Sequence, residues 1–229
     1  MTKKNLLLFW TLLLLINWQL YAKTSTAISS DNGETSAFLT KKLLEQADTD
    51  YPVLAEDDEP YGVRLKQLTQ TIKKYEGLVL NYRIFRDKQI TIVAFPDGSL
   101  RISTGLMDLM TDDELFAIIG HAVGHLFYKD TEEALQKASA GKSADSQLKE
   151  ILGAFTDFAY SKQQEYAADE FSFTLCVDQG MDPYAMSSAL EKLLKMPDKS
   201  TQKLLTLHPD TKERVMKMRL LGDQYYNNQ

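Results

Sequence analysis

The stretch Ile118-Ile-Gly-His121-Ala-Val-Gly-His125-Leu-Phe127 carries the strongest structural signal in this chain of 229 residues. Its apolar character and the capping box Thr111-x-x-Glu114 just upstream predict a helix that begins at residue 112 or 113. His121 and His125 are four residues apart, so a helix places them on one face and points both imidazoles at one spot. The chain has only three histidines, which makes this spacing informative. The pair is a candidate metal site.

Two interpretations of the histidine pair remain open at this point. A histidine on an apolar helix face is usually a satisfied core residue, and a two-ligand motif needs confirming context. Gly120 and Gly124 flank His121, and each costs a helix roughly 1 kcal/mol relative to alanine. Glycines inside a helix usually allow another chain segment to approach closely. The pattern therefore predicts a tightly packed neighbour beside the pair.

A second polar pair, Glu165 and Asp169, lies four residues apart in a segment that is otherwise typical of a core-facing helix. One interpretation is a solvated carboxylate pair, but Ala167 and Ala168 between the two favour close packing. Two histidines and one carboxylate, with a fourth position for water, form the catalytic zinc arrangement, and Glu165 is the candidate third ligand. Asp169 would then accept an N–H from a ligating imidazole and fix its tautomer.

Four ordered motifs resemble the M48 family of zinc metallopeptidases, especially its small exported bacterial members. The family's helix reads His-Glu-x-x-His after Ile-Gly, as Ile119-Gly120 stand here, and a strand with Gly-Leu-Met precedes it, as in residues 100–115. The family's Ser-Arg-x-x-Glu-x-x-Ala-Asp is matched by residues 161–169, with Lys162 in place of arginine. A late His-Pro followed by arginine is matched by His208-Pro209 and Arg214. The resemblance covers roughly residues 61–214.

The resemblance implies a site and an activity. It implies one zinc ion per chain, held by His121, His125 and Glu165, and endoproteolysis of unfolded or misassembled envelope proteins. It also implies that the region of His208 approaches the metal, so that His208 or Arg214 donates a hydrogen bond to the developing oxyanion. The alternative is that His208-Pro209 only shapes the entry to the last helix.

One departure from the family pattern concerns the catalytic base. The family's helix reads His-Glu, whereas this chain reads His121-Ala122. That glutamate is the general base which takes a proton from the attacking water, and such a base contributes about 10²- to 10⁴-fold to the rate. Glu114 lies almost two helical turns away and Asp169 is expected on a histidine. The sequence thus offers no substitute, and Ala122 is either inherited or introduced.

The N-terminus has the layout of a secretory signal peptide. Lys3 and Lys4 precede an apolar run over residues 6–20, and Ala22 is a suitable last residue before a cut. We therefore predict a signal peptide over residues 1–22, a flexible lead-in over 23–36, and one metallopeptidase domain over 37–229. An uncleaved anchor is the alternative, although the run is short for a span of roughly 20 residues. Either way the chain is predicted to be exported to the periplasm or cell envelope, and peripheral membrane association stays open.

Composition narrows the class further. The formal net charge is −6, which argues against a nucleic-acid partner. Cys176 is the single cysteine, so no internal disulfide forms and the fold depends on its core alone.

Strand patterns at residues 78–85, 89–95 and 100–104, with a turn at residues 96–99, predict a small antiparallel sheet. Helical patterns follow, including one long helix over residues 148–179. The predicted fold is α+β, a mainly helical domain with a small antiparallel sheet beside the helix that carries both histidines.

Three functional hypotheses follow. The chain is a zinc endopeptidase that is intact except for Ala122, with activity expected to be low or absent. Alternatively, it is a natural pseudoprotease that binds zinc and polypeptides as a holdase or adaptor. The third hypothesis is an inert structural metal domain. Retention of both glycines and of Asp169 favours the first two.

Overall fold

Helices dominate the computed structural model, which describes residues 30–75 and 77–228, with side chains from residue 36 onward. The helices are α1 (Ser30–Asp50), α2 (Tyr61–Thr69), α3 (Thr104–Leu109), α4 (Asp112–Phe127), α5 (Asp130–Ser139), α6 (Leu148–Thr156), α7 (Lys162–Asp178), α8 (Ala185–Lys195), α9 (Lys199–Leu207) and α10 (Thr211–Asn227). The strands are β1 (Lys74–Tyr75), β2 (Leu78–Val79), β3 (Asn81–Phe85), β4 (Ile92–Ala94) and β5 (Ser99–Ser103). The predicted α+β class is confirmed.

The main sheet is mixed rather than antiparallel. Its strand order is β3-β5-β4, in which β4 and β5 form the predicted antiparallel hairpin. Strand β3 instead pairs in parallel with β5, with Asn81 opposite Ser99 and Phe85 opposite Ser103. The prediction of an all-antiparallel sheet was wrong because alternation identifies strands but not their neighbours. In consequence β4 is an edge strand of this sheet.

The two faces of the sheet pack against different helices. Leu100 and Ile102 of β5 belong to the main core, which they share with α4, α7 and α8. Arg101, between them, faces the opposite side and forms a two-pronged ion pair with Asp48 of α1 at 2.6 and 2.8 Å. A second hydrophobic cluster joins α1, α5 and α6 to Phe95 at the end of β4. The sheet is therefore covered on both faces, and α4 lies on the main-core side.

The predicted long helix over residues 148–179 is two helices. Helix α6 ends at Thr156, and α7 begins at Lys162 with Ser161 as its N-cap. Ser161 Oγ accepts from the backbone N–H of Gln164, and the Gln164 side chain accepts from the backbone N–H of Ser161. This reciprocal cap starts a new helix where apolar periodicity alone predicted continuity. The break leaves a non-helical linker, residues 157–161, beside the site.

Several other boundaries differ from the predictions. Residues 30–36, predicted to be flexible lead-in, begin α1, because a helix anchored by Leu39 and Leu43 extends upstream through polar residues. Residues 23–29 and the signal-peptide segment 1–22 lie outside the described residues. Helix α2 stops at Thr69, and residues 74–75 pair with β2. Across residues 30–75 and 77–228, no helix combines the length and apolarity that crossing a membrane requires.

Candidate metal centre

Helix α4 begins where its cap predicts. Thr111 Oγ1 accepts from the backbone N–H of Glu114, and the Glu114 carboxylate accepts from the backbone N–H of Thr111. Glu114 also accepts from Ser188 and Lys192 of α8 at 2.6 and 2.5 Å. These contacts fix the start of α4 and hold the Glu114 carboxylate away from the histidine pair.

The glycines of α4 allow α7 to pack against the histidine-bearing segment. A Cβ on Gly124 would lie 2.9 Å from the Cα of Ala168, and a Cβ on Gly120 would lie 3.1 Å from Ser172 Oγ. Ser172 Oγ donates to the carbonyl of Ala117 at 2.6 Å, which locks the two helices together. The predicted close neighbour is confirmed, and it is the helix that carries Glu165.

Four side chains bring potential metal-binding atoms to one point. One such atom from each lies within 4.8 Å of those of the other three: His121 and His125 on α4, Glu165 on α7, and His208 directly after α9. The first three are buried, and the side chain of His208 is 23% exposed. Glu165 oxygens lie 3.4 Å from His125 Nε2 and 3.7 Å from His121 Nε2. The structure thus assembles all three predicted ligands and adds His208 to them.

Each imidazole of the pair is oriented by its own carboxylate. His121 Nδ1 donates to Asp169 Oδ1 at 2.9 Å, and His125 Nδ1 donates to Asp130 Oδ2 at 2.8 Å. Both Nδ1 atoms therefore carry hydrogen, and the two Nε2 atoms face each other at 3.1 Å. Two lone pairs at this distance need a cation between them. A proton shared by the two rings or a divalent metal ion meets that need.

The environments of the two histidines shift their pKa values in opposite directions. Burial lowers the pKa of His121 to about 4, despite its hydrogen bond to Asp169. Burial also opposes the charged form of His125, but hydrogen bonds to Asp130 and Glu165 outweigh it and raise its pKa to about 9. Without metal, the proton between the rings is therefore assigned to His125, whose Nε2 lies 3.1 Å from His121 Nε2 and 3.4 Å from a Glu165 oxygen.

Glu165 is kept ionised by its neighbours. Burial disfavours its charge, but His208, His125 and His121 outweigh burial and hold the pKa of this carboxyl well below its usual range. His208 Nδ1 donates to Glu165 Oε1 at 2.9 Å. Glu165 Oε2 forms an ion pair with Arg214 Nη1 at 2.5 Å and makes no hydrogen bond within the part of the chain that the structure describes. A buried carboxylate that its neighbours keep ionised is a suitable metal ligand.

Arg214 lies behind the site rather than in it. Its side chain is 1% exposed and binds Asp169 through two hydrogen bonds of 2.7 and 2.8 Å. Arg214 Nη1 also donates to the carbonyl of His208 at 3.3 Å. Arg214 does not line the cleft, so this geometry does not support oxyanion binding by Arg214. Instead Arg214 fixes Asp169, and through Asp169 the ring of His121.

A cleft of about 440 Å³ opens over the two imidazoles. Its walls come from the end of α1, the β4 edge, α6, the linker and α9, and His121, Ala122, His125 and His208 line it as well. Ala122 is buried and presents only a methyl group to this space. The position at which the family has its glutamate therefore faces the cleft beside both imidazoles.

Sequence reasoning missed three residues of the site. Asp130 orients His125, and Gln164 Nε2 in turn donates to Asp130 Oδ1 at 2.9 Å. Tyr160, in the linker, stacks on the ring of His125. Asp130 lies five residues after His125, a spacing that predicts no contact within a regular helix. A turn with Lys129 at φ 63° ends α4 and returns Asp130 to the imidazole.

Comparison with known proteins identifies the family to which this chain belongs. The model of peptidase family M48 matches residues 84–221, more than half of the chain, so the chain belongs to peptidase family M48. Its similarity to Metalloprotease LoiP of Escherichia coli (strain K12) is 27% identity over 197 residues, covering 79% of this chain and 78% of LoiP. Metalloprotease YcaL of the same organism is 26% identical over 182 residues, 72% of each chain. Mitochondrial metalloendopeptidase OMA1 of Arabidopsis thaliana is 24% identical over 149 residues, 61% of this chain and 31% of OMA1. The family predicted from the four motifs is confirmed.

Proposed function

We propose that this chain binds one zinc ion through His121, His125 and Glu165 and has the scaffold of an endopeptidase for unfolded or misassembled polypeptides of the cell envelope. Its hydrolytic activity is low or absent because Ala122 replaces the general base. One observation carries the proposal: the two Nε2 atoms face each other at 3.1 Å beside the ionised Glu165, while both Nδ1 atoms are committed to carboxylates. Two imidazoles and one carboxylate are the donor set of catalytic zinc sites.

The metal accounts for only part of the chemistry. When bound, zinc polarises the scissile carbonyl and acidifies the attacking water. The protein must then move a proton from that water to the leaving amine, and the methyl group of Ala122 cannot hold one. The nearby carboxylates are engaged elsewhere: Glu114 binds Ser188 and Lys192, and Asp169 binds His121 and Arg214. Among the described residues these contacts leave neither carboxylate free to replace the missing base.

The β4 edge supports the assignment of polypeptide as substrate. The backbone N–H of Phe95 donates to Ser99, and that of Ser103 donates to Thr91, so these positions of the strand face β5. Alternation along an antiparallel strand then turns the main-chain groups of Ile92 and Ala94 toward the free edge. An extended peptide can pair with this edge by strand addition, which requires an unfolded substrate. Apolar residues of the cleft walls suit such a chain: Phe85, Ile90, Leu152, Phe155, Leu204 and Leu207.

A closed, non-catalytic metal site is the second candidate. His208 belongs to the same group of four donors, and its Nδ1 lies 2.9 Å from Glu165. A site with four protein ligands is typical of structural zinc, because it keeps no position for water. A polypeptide-binding pseudoprotease is the corresponding function, in which the cleft holds chains without cutting them.

Restoring the glutamate tests the proposal. Residue 122 follows the first proposed ligand by about 100° on α4, so a carboxylate there would lie beside the metal in the cleft. We expect Ala122→Glu to cleave casein at least about 10²-fold faster than the present chain. The gain should disappear on chelation and return with zinc. Ala122→Gln is the matched control, since it has the same size but cannot accept the proton.

Three outcomes would contradict parts of this account. Equal activity of the Glu and Gln variants would show that size, not proton transfer, matters at position 122. A zinc-loaded Ala122→Glu protein that cuts nothing until His208 is also changed to alanine would favour the closed site. Ready cleavage by the present chain, lost in His125→Ala, would mean that another group serves as base.

We also propose that the chain is exported and acts in the periplasm or cell envelope. The support is the basic start, apolar run and Ala22 of the first 22 residues. Protein recovered from the native host should begin near Lys23. Mass spectrometry that finds Lys3 and Lys4 retained would favour an uncleaved anchor at the membrane instead.

A further inference from the structure

Tyr160 lies flat against one of the proposed metal ligands. Its ring centroid is 4.0 Å from that of His125, and the two planes differ by only 14°. Tyr160 belongs to the linker between α6 and α7, and it lines the cleft. It therefore covers a face of the imidazole, between His125 and the open space of the cleft.

The edges of the His125 ring are fixed by other groups, but its plane is not. Asp130 binds Nδ1 at 2.8 Å, and Nε2 faces His121 Nε2 at 3.1 Å. These two in-plane contacts only weakly oppose tilting of the ring out of its own plane. Tilting would turn the Nε2 lone pair away from Glu165. A flat aromatic surface at van der Waals distance opposes that motion.

Tyr160 is itself held firmly. Its backbone N–H donates to the carbonyl of Leu207 at 3.1 Å, at the end of α9. Phe158 packs against the Tyr160 ring nearly edge-on, with centroids 5.3 Å apart and planes at 76°. The Tyr160 ring also lies 5.4 Å from the ring of His208. These contacts involve the backbone and the ring rather than the hydroxyl group.

We propose that Tyr160 is a positioning residue that sets the plane of the His125 imidazole and thereby the metal affinity of the site. The aromatic ring performs this role, and the hydroxyl group is dispensable. The inference rests on the proposed function insofar as the metal is bound by His125. The stacking itself exists without metal, so one part of the test is independent of it.

The experiment compares Tyr160→Phe, which keeps the ring, with Tyr160→Leu, which removes it. Tyr51→Leu is the matched control, because Tyr51 also lines the cleft but packs on Phe85, at 5.4 Å, instead of a histidine. Zinc affinity is measured by competition with a chelator, and cobalt(II) absorption reports the ligand geometry. We expect Tyr160→Leu to weaken zinc binding about 10- to 100-fold, the usual effect of losing a group that orients a ligand, and to change the cobalt spectrum. Tyr160→Phe and Tyr51→Leu should match the present chain.

A metal-free measurement completes the test. Proton NMR of the three histidines should show the His125 ring protons shifted upfield by the stacked ring, in the present chain and in Tyr160→Phe but not in Tyr160→Leu. Unchanged zinc affinity in Tyr160→Leu, or equal losses in Tyr160→Leu and Tyr160→Phe, would overturn the inference. If Tyr160→Leu does not fold, Tyr160→Met replaces it. A present chain that binds no zinc yet shows the upfield shift would refute the metal site and leave the stacking intact.

Discussion

At the scale of single residues, the site depends on one carboxylate for each imidazole. Asp169 binds His121 and Asp130 binds His125, both through Nδ1. Both imidazoles consequently present Nε2, the same kind of atom, to Glu165. The motif at residues 161–169 predicted only the first of these carboxylates. The second comes from the start of α5, and its contribution to metal binding can be measured directly.

Purified protein should contain about one zinc ion per chain, and three carboxylate variants should differ from one another in their affinity for zinc. Glu165→Gln removes the charged ligand and should weaken binding severely. Asp130→Asn keeps the shape but loses the charge that orients His125, so about a 10- to 100-fold loss is expected. Glu170 lies on the same helix, α7, but is paired with Lys217, so Glu170→Gln should not change the zinc affinity. Metal analysis and chelator competition provide these values, and equal affinity in Glu165→Gln and Glu170→Gln would rule out the ligand assignment.

At the scale of elements, the contact between α4 and α7 sets the geometry of the ligands. One helix carries both histidines, and the other carries Glu165 and Asp169. A Cβ on Gly124 would lie 2.9 Å from Ala168 Cα, a backbone atom that cannot move without shifting α7. The absence of a side chain at Gly124 thus sets how closely α4 and α7 can approach each other.

Gly124→Ala should therefore destabilise the protein although alanine is the better helix former. The intrinsic gain of roughly 1 kcal/mol is outweighed by overpacking, which costs about 1–3 kcal/mol, and zinc binding should weaken as the helices separate. Gly153→Ala on α6 is the matched control, since a Cβ there meets nothing within 4 Å. That variant should be neutral or more stable. Chemical unfolding of the chelated proteins measures both, and equal stability of the two variants would contradict the packing argument.

At the scale of the whole molecule, the buried charges make stability depend on pH. For His125 the pKa rises from 6.5 unfolded to about 9 folded, so its stabilising contribution is complete below pH 6.5 and is lost as the pH rises toward 9. For His121 the pKa falls from 6.5 to about 4, so stability is lost as the pH falls from 6.5 toward 4. The pKa values of Glu165 and Asp169 are lowered in the folded protein, so these two groups affect its stability only at pH values near and below their ordinary pKa values of 4.5 and 3.8.

The metal-free protein should consequently be most stable near pH 6.5. Urea unfolding midpoints in the presence of chelator, measured between about pH 4 and pH 9, test this expectation. Asp130→Asn should flatten the alkaline side, because it removes a group that raises the pKa of His125. Zinc should move the optimum upward, since ligation requires neutral imidazoles. Midpoints that keep rising from pH 6.5 to pH 9 without metal would disprove the assignment of the shared proton to His125.

The sequence by itself determined the local features of this protein. The cap at Thr111, the four-residue spacings of the histidines and carboxylates, and the turn before β5 each depend on neighbours a few residues apart. Short-range geometry was therefore enough to predict α4, the β4–β5 hairpin and the histidine pair. The resemblance of four ordered motifs predicted the membership in family M48 and supported Glu165 as the third ligand. The two glycines predicted a close neighbour without saying which segment it is.

Only the tertiary structure decided which distant groups meet. It paired β3 in parallel with β5, placed Asp130 and Tyr160 on His125, brought His208 to Glu165, and put Arg214 behind Asp169 instead of in the cleft. The physical reason is that these contacts follow from how α4, α7, α9 and the sheet pack. Packing is set by the summed burial of many side chains and not by any spacing along the chain.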